Sequence, residues 1–124
     1  MTGYGRLIHD DGSTYIGQWK QSQQHGSGVE TWPDESNYKG QYINGLKEGK
    51  GNFVWSNGSH YEGEFKDNNI EGQGTYTWGN GNQYTGGWVN NKMDGQGVFS
   101  WPDGRKYKGG YKEDKKDGYG EFSW

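Results

Sequence analysis

The chain has 124 residues, 25 of them glycine, with no cysteine and a net charge of −3 at pH 7. The absence of cysteine excludes a disulfide framework, a thiolate metal site and a cysteine nucleophile. The acidic balance gives no reason to expect nucleic acid as a partner. Only 27% of the residues are hydrophobic, and of these 21 are aromatic and 12 are Leu, Ile, Val or Met. Such a chain lacks the aliphatic side chains of an ordinary two-layer core.

Residues 1–14 predict one opening strand followed by a glycine-containing turn. Gly3 and Gly5 are separated by one residue, and Leu7 and His9 follow at the same alternating spacing. Successive side chains of a strand point to opposite faces, so these four positions share one face. We interpret the segment as half of the unit that follows, with Leu7 and His9 standing where later units carry aromatic residues.

A unit of 23 residues then recurs five times. Each unit opens with Tyr-x-Gly-x-aromatic and continues, after a polar stretch, with Gly-x-Gly-x-aromatic-x-Trp. The opening aromatic pairs are Tyr15/Trp19, Tyr38/Tyr42, Tyr61/Phe65, Tyr84/Trp88 and Tyr107/Tyr111. The closing pairs are Glu30/Trp32, Phe53/Trp55, Tyr76/Trp78, Phe99/Trp101 and Phe122/Trp124, so the first unit departs from the pattern at Glu30. Nineteen of the 21 aromatic residues occupy these positions, which excludes chance and argues against disorder.

Each half unit predicts a β-strand with one aromatic and one polar face, because its glycines and aromatic residues share one parity. Two strands per unit and the opening strand make about eleven antiparallel strands in a meander, roughly 50 Å long at about 4.8 Å per strand. Within units, polar connections are expected at 20–25, 43–48, 66–71, 89–94 and 112–117. Between units, sequences such as Pro-Asp-Gly predict type I turns closed by glycine. Glu35 replaces that glycine, so its turn is expected to be strained or of another type.

The alternation of glycine with aromatic residues has a steric interpretation. A ring on one strand can lie flat across a neighbouring backbone only where no side chain intervenes, so glycine would form a floor under each ring. Stacked units then build a continuous ladder of rings on one face. Offset or edge-on ring pairs add about 0.5–1.5 kcal/mol each beyond burial, and neighbouring hairpins supply contacts that one hairpin lacks.

The motifs Tyr-x-Gly-x-(Trp/Tyr/Phe) and Gly-x-Gly-x-(Phe/Tyr)-x-Trp, followed by a turn glycine, resemble the MORN repeat over the whole chain. The resemblance implies an all-β, elongated, twisted single-layer antiparallel meander that serves as an assembly platform. On this basis the chain is one array, with a half repeat at 1–14, full repeats at 15–37, 38–60, 61–83 and 84–106, and a truncated repeat at 107–124. Such arrays occur in cytoskeletal, ciliary and membrane-contact proteins, and fused to lipid kinases or a lysine methyltransferase.

No arrangement of residues predicts catalysis, a metal site or a cofactor, so a non-enzyme is expected. The repeated Gly-x-Gly lacks the third glycine and the following helix of a dinucleotide-binding loop. One equivalent position holds His25, Glu48, Glu71, Asp94 and Asp117. Equivalent positions lie two strands, about 9–10 Å, apart, which is too far to share one ion, so we interpret these residues as solvated loop ends. Aromatic ladders also bind sugars, but those repeats place aromatic residues next to each other, and strict alternation disfavours that reading.

We expect a protein–protein interaction scaffold that docks an amphipathic helix or peptide. A single-layer sheet has no second layer, so part of its ring ladder is expected to stay exposed, and large exposed apolar patches mark binding sites. A helix covers such a groove without needing hydrogen bonds from the sheet. The predicted groove residues are Tyr38, Tyr42, Tyr61, Phe65, Tyr84 and Trp88.

The alternative is a peripheral membrane module that binds phospholipids or phosphoinositides. It depends on a basic patch in the last repeat, formed by Lys106, Lys108, Lys112, Lys115 and Lys116. Glu113, Asp114 and Asp117 are interleaved with these lysines, and sparse mixed charge binds anionic lipid weakly. With no apolar run of transmembrane length and no signal peptide, we expect a cytoplasmic location, with cytoskeletal, ciliary or membrane association.

The two ends of the array differ. The opening strand departs from the aromatic pattern, whereas the last strand keeps Phe122 and Trp124, and the two remaining aromatic residues, Tyr4 and Tyr119, lie between paired glycines. An unpaired strand edge is open to other chains, so either the chain is a fragment of a longer array or another molecule covers this edge. We expect self-association into a homodimer through Tyr107, Tyr119, Phe122 and Trp124.

Overall fold

The computed structural model describes residues 2–124, which form one antiparallel sheet of eleven strands paired in chain order. The strands are β1 Gly3–Ile8, β2 Thr14–Lys20, β3 Gln23–Thr31, β4 Asn37–Ile43, β5 Leu46–Val54, β6 His60–Lys66, β7 Asn69–Thr77, β8 Gln83–Val89, β9 Lys92–Ser100, β10 Lys106–Lys112 and β11 Lys115–Ser123. The single-layer meander expected from the repeat pattern is confirmed.

Two-residue turns join the strands within each repeat, so the longer polar connections expected from the sequence are wrong. Both central residues have positive φ, as at Asp67 (50°) and Asn68 (70°), which is the geometry of a type I′ turn. Because this turn matches the right-handed twist of paired strands, the strands continue up to it. The five central pairs are Gln21–Ser22, Asn44–Gly45, Asp67–Asn68, Asn90–Asn91 and Glu113–Asp114.

Three-residue turns join successive repeats. After β5, the Gly58 N–H donates to the Trp55 carbonyl at 3.1 Å, and the Trp55 N–H donates to the Ser59 carbonyl at 2.8 Å. Asn57 Oδ1 accepts a further bond from the Ser59 N–H at 2.9 Å. This is a type I turn followed by a left-handed residue, a common three-residue hairpin loop.

Glu35 adopts the same turn geometry although it is not glycine. Its N–H donates to the Trp32 carbonyl at 3.0 Å, and its φ is 74°. Of the two expected alternatives, a strained turn and another turn type, the structure shows the strained turn. The strain lies at Glu35 itself, because a residue with a side chain is disfavoured in the left-handed region.

The aromatic residues of a repeat lie on one face of the sheet, called here the ring face, and the opposite face is called the polar face. Directly opposed residues of a strand pair share a face. Tyr61 lies opposite Tyr76, and Gly63 lies opposite Gly74. The assignment of faces made from residue parity is therefore confirmed for these positions.

A β-bulge interrupts each hairpin that a two-residue turn closes. Between β6 and β7 the register slips between Gly63 and Phe65, so that Phe65 lies opposite Ile70. Gly72, within the bulge, has a φ of 102°, a conformation that favours glycine. The first glycine of each Gly-x-Gly pair thus serves the bulge, and Glu71 before it lies within β7 rather than at a loop end.

The second glycine of each pair lies under a tyrosine ring. A Cβ at Gly74 would meet the hydroxyl oxygen, Cζ and Cε1 of Tyr61, and a Cβ at Gly63 would lie 2.5 Å from both Gly74 Cα and the Tyr61 hydroxyl oxygen. Tyr61 itself is fully buried. The glycine floor expected from the sequence is therefore present, and one ring covers glycines on two adjacent strands.

Hydrogen bonds tie consecutive hairpin tips together. The Asn91 N–H donates to the Ile70 carbonyl at 3.0 Å, and Asn91 Oδ1 accepts from the Ile70 N–H at 2.8 Å. The equivalent pairs are Asn68–Lys47 and Asp114–Met93. A side-chain oxygen thus replaces a backbone carbonyl at the tips, and neighbouring repeats stay in register along this edge.

The glycine floor predicts different costs for two glycines of the same strand. In β9, a Cβ at Gly97 would meet the Tyr84 ring, whereas Gly95 has nothing within 4 Å and only a φ of 90°. We expect Gly97→Ala to lower the free energy of unfolding by about 2–4 kcal/mol through overpacking, and Gly95→Ala by about 1–2 kcal/mol through backbone strain. Urea unfolding measures both, and equal costs would contradict the ring contact as the constraint.

Candidate functional site

The first two aromatic residues of each repeat form a buried row on the ring face. In the central repeats, none of the residues predicted to line a groove is more than 5% exposed. These residues are Tyr38, Tyr42, Tyr61, Phe65, Tyr84 and Trp88. The prediction that they line an open groove is therefore wrong, and they form the core instead.

Edge-to-face packing between repeats is the reason for this burial. The Tyr38 and Phe65 ring centroids are 5.1 Å apart with ring planes at 88°. The Phe65 ring also meets Tyr61 of its own repeat at 5.2 Å and 89°, and Tyr61 meets Trp88 of the next repeat at 5.7 Å and 83°. Each repeat thus covers the rings of the one before it, which residue parity alone does not reveal.

The buried tyrosines satisfy their hydroxyl groups locally. The Tyr61 hydroxyl donates to the Glu64 carbonyl at 3.0 Å, and the Tyr38 hydroxyl donates to the Gln41 carbonyl at 2.9 Å. Burial raises the pKa of Tyr38 to about 12 and raises the pKa of Tyr61 well above its ordinary value. These phenols are structural donors that stay neutral in the folded chain.

The later aromatic residues of each repeat form a second, half-buried row, called here the outer ladder. Its rings are Trp32, Phe53, Trp55, Tyr76, Trp78, Phe99 and Trp101. Successive centroids are 4.5–5.3 Å apart, and the ring planes are tilted by 29–51°. This is the continuous ladder of rings that the sequence predicted, displaced to one side of the buried row.

One ring-face position was missed because it lies in the stretches expected to be polar loops, although it shares the parity of the paired glycines that follow it. Its occupants in chain order are Gln24, Lys47, Ile70, Met93 and Lys116. Ile70 and Met93 are buried in the core, at 6% and 8% exposure. The Lys47 ammonium lies 5.4 Å from the ring centroids of both Trp32 and Tyr38. The two apolar residues at 23-residue spacing were the available signal in the sequence.

Lys116 occupies this position in the last repeat, so the predicted basic patch is divided between the two faces. Its ammonium lies 5.2 Å from the Tyr107 ring centroid on the ring face. Lys106, Lys108 and Lys112 alternate along β10 on the polar face, where Lys108 lies opposite Glu121. The prediction of a single patch that includes Lys116 is wrong, because Lys116 lies opposite Tyr111 and therefore shares the ring face with it.

Glu30, the exception in the aromatic pattern, anchors a polar cluster on the ring face. Its Oε1 accepts a hydrogen bond from the Tyr42 hydroxyl at 2.7 Å, and its Oε2 lies 3.9 Å from His9 Nε2. Burial lowers the pKa of Lys47, and the charge of Glu30 partly opposes that shift. The cluster replaces ring stacking at the first-repeat end of the outer ladder.

A groove of about 990 Å³ crosses the polar face from β1 to β8. Its floor is the backbone of glycines such as Gly40 and Gly63, and its walls are the side chains that point away from the rings. Eight strands line one continuous groove, so the sheet is concave on this face. Rings are bulkier than the opposing polar side chains, which favours bending in this direction. The structure thus places the open groove on the face opposite to the one predicted.

The last strand leaves three aromatic side chains exposed. Tyr119 is 81% exposed, Phe122 67% and Trp124 90%. Tyr107, which was grouped with them as a self-association residue, is 4% exposed because its ring packs against Tyr111 and Phe122. The buried Tyr107 side chain therefore offers no surface for self-association. The other three residues lie on or directly after β11, one of whose edges has no neighbouring strand within residues 2–124.

The buried phenols predict loss of stability at alkaline pH. Burial and the charge of Glu30 raise the pKa of Tyr15 to about 12, and burial raises that of Tyr111 to about 12. An unfolded tyrosine ionises near pH 10, so this contribution is complete below about pH 10 and is lost as the pH rises toward about 12.

We expect the urea midpoint to fall over this pH range and tyrosinate absorbance to rise together with unfolding. Tyr38→Phe should reduce the pH dependence, because it removes one such phenol. Titration of all the tyrosines near pH 10 in a chain that remains folded would contradict this expectation.

Comparison with known proteins completes the description of the site. Within residues 2–124, no helix is long and apolar enough to cross a membrane. The same residues contain no group of three or more His, Cys, Asp or Glu side chains that could hold a metal ion.

No curated protein matches the chain. The family model of the MORN repeat matches residues 15–36, 38–60, 61–83, 84–104 and 107–124, and the chain belongs to the MORN repeat family.

Proposed function

We propose that the chain is a non-enzymatic protein-interaction scaffold whose partner docks in the groove of the polar face. The observation that carries the proposal is the groove itself, about 990 Å³ in volume and open from β1 to β8. Its walls combine exposed apolar, basic and acidic side chains. Protein interfaces have this mixed character, with apolar anchors and a polar surround.

A helix is the partner that suits this groove. The groove runs across the strands, and the backbone groups of its floor are already engaged in sheet pairing. An extended peptide lying across them would leave its own N–H and C=O groups unpaired. A helix satisfies those groups internally and needs side-chain contacts only.

The ring face supports a partner less well. Its inner row is buried, and the rings of its outer ladder are half-buried against one another. Rings that already stack at 4.5–5.3 Å have little further apolar surface to gain from a partner. Burial of the rings stabilises the fold, and the polar face remains open to a partner.

Matched glutamine substitutions test the position of the docking site. Gln41 and Gln73 line the groove, whereas Gln83 and Gln96 lie on the polar face outside it, and all four are exposed. We expect Gln41→Lys with Gln73→Lys to reduce the affinity for the cellular partner at least tenfold, because two bulky charges enter the groove. Gln83→Lys with Gln96→Lys should leave it unchanged.

Quantitative pull-down with mass spectrometry identifies the partner, and titration of the purified partner measures the four affinities. Circular dichroism of each variant checks the fold. Equal loss in the two double variants, or retention in both, would contradict docking in the groove.

Membrane association is the other use to which MORN repeats are suited. The polar-face lysines of β10 have acidic neighbours, with Glu121 opposite Lys108, and Glu113 and Asp114 following Lys112. Mixed charge of this density attracts anionic lipid weakly. The charge distribution therefore favours a protein partner, and flotation with anionic vesicles at physiological salt would favour a membrane instead.

Self-association through β11 is the second part of the proposal. The exposed Tyr119, Phe122 and Trp124 lie beside an edge that presents unpaired backbone groups, and such edges pair with other strands. We expect concentration-dependent sedimentation at micromolar concentration. Tyr119→Lys with Trp124→Lys should give a monomer, while Tyr4→Lys at the opposite edge should not. A wild-type chain that sediments only as a monomer contradicts the proposal.

A further inference from the structure

Side chains of different chemistry follow one another in order along the groove. At the β1–β3 end lie Tyr4, Ile16 and Val29, which are 76%, 39% and 37% exposed. Two lysines follow on β4 and β5, and two glutamates follow on β6. These four residues are Lys39, Lys50, Glu62 and Glu64. The groove therefore changes from apolar to basic to acidic as it crosses the sheet.

Strand pairing fixes this order. Val29 lies opposite Lys39 across β3 and β4. Asn52 on β5 lies opposite Lys39 on one side and Glu62 on the other, so the four side chains form one row. At about 4.8 Å per strand, the lysines lie about 12 Å from the centre of the apolar end, and the glutamates lie about 7 Å further on.

The charges of the groove form no ion pair within residues 2–124. Among the described lysine and arginine side chains, Arg105 forms an ion pair, and its partner Asp103 lies outside the groove. Lys50 on β5 lies opposite Glu64 on β6 without forming such a pair. Glu64 is half-buried, and its Oε1 accepts a hydrogen bond from the Gln73 N–H at 2.8 Å. The exposed charges open to an incoming molecule of complementary pattern are therefore those of Lys39, Lys50 and Glu62.

We propose that the partner is an amphipathic helix whose groove-facing side carries an apolar, an acidic and a basic residue in that order from β1 to β6. The inference rests on the proposed function and specifies its partner. At 1.5 Å per residue, spacings of about 12 and 7 Å correspond to about seven or eight and about four or five residues. Residues i, i+7 and i+11 lie on one helix face, so one helix presents all three groups.

The order of charges gives specificity rather than the bulk of the affinity. A helix with its two charges exchanged would bring a lysine against Lys39 and Lys50, and a glutamate against Glu62 and Glu64. Like charges brought together disfavour a partner of the wrong pattern. The groove therefore discriminates between helices of identical composition.

Two synthetic alanine-based helices of about 20 residues test the proposal. The first carries Leu at i, Glu at i+7 and Lys at i+11, and the second has Lys and Glu exchanged. Fluorescence anisotropy measures the binding of each peptide to the full chain. We expect the first to bind at least tenfold more tightly at low salt, with the difference shrinking as salt screens the charges.

A charge exchange in the protein supplies the converse test. Lys39→Glu with Glu62→Lys leaves the net charge unchanged and should remove the preference for the first peptide, because Lys50 and Glu64 keep their charges and each position then faces charges of both signs. Lys108→Glu with Glu121→Lys, an opposed pair on the same face outside the groove, should keep the wild-type preference. If the exchanged variant does not fold, Lys39→Gln with Glu62→Gln should weaken the preference instead.

The outcomes separate this inference from the proposed function. Equal affinity for the two peptides overturns the charge order but leaves docking in the groove intact. Binding of neither peptide also overturns the inference, and docking is then judged by the Gln41 and Gln73 variants with the cellular partner. A preference that persists in the Lys39/Glu62 exchange overturns the assignment of these residues.

Discussion

The packing of one tyrosine ring over glycines on two adjacent strands is the contact on which the rest of this sheet depends. Tyr61 lies flat across Gly63 and Gly74, and its hydroxyl donates to the Glu64 carbonyl. A ring held flat leaves room for an edge-on ring from the next repeat, such as Trp88. Repeated along the chain, this contact builds a core from a single layer of strands, in which rings on one face replace a second layer.

A core confined to one face leaves the other face open for the docking proposed above. Side chains of the polar face such as Lys39 and Glu62 are exposed and differ from strand to strand. Across β1 to β6 the groove runs from Ile16 and Val29 through Lys39 to Glu62. The glycines and aromatic residues that recur in every repeat thus stabilise the fold. The residues between them, on the polar face, make one strand different from the next.

Two polar residues, Glu30 and Lys47, occupy positions on the ring face. Glu30 takes the place of a ring and accepts a hydrogen bond from Tyr42, and Lys47 lies over the rings of Trp32 and Tyr38. Ammonium groups over aromatic faces are stabilised by about 0.5–2 kcal/mol. Polar residues are therefore tolerated at the first-repeat end of the ring face, while Ile70 fills the equivalent position in the centre of the array.

The sequence by itself determined the eleven-strand meander, the two faces and the glycine floor, because each follows from local parity repeated at a fixed spacing. It did not reveal the two-residue turns, since Asp67 and Asn68 take positive φ without glycine. It did not reveal the burial of Ile70 and Met93 either, since both fall in stretches whose polar composition predicted loops rather than strands. Only the tertiary structure decided which face is open. The exposure of a ring depends on the ring that the next repeat packs against it. The concavity of a face depends on the summed bend of eight strands. Neither is a property of any one stretch of chain.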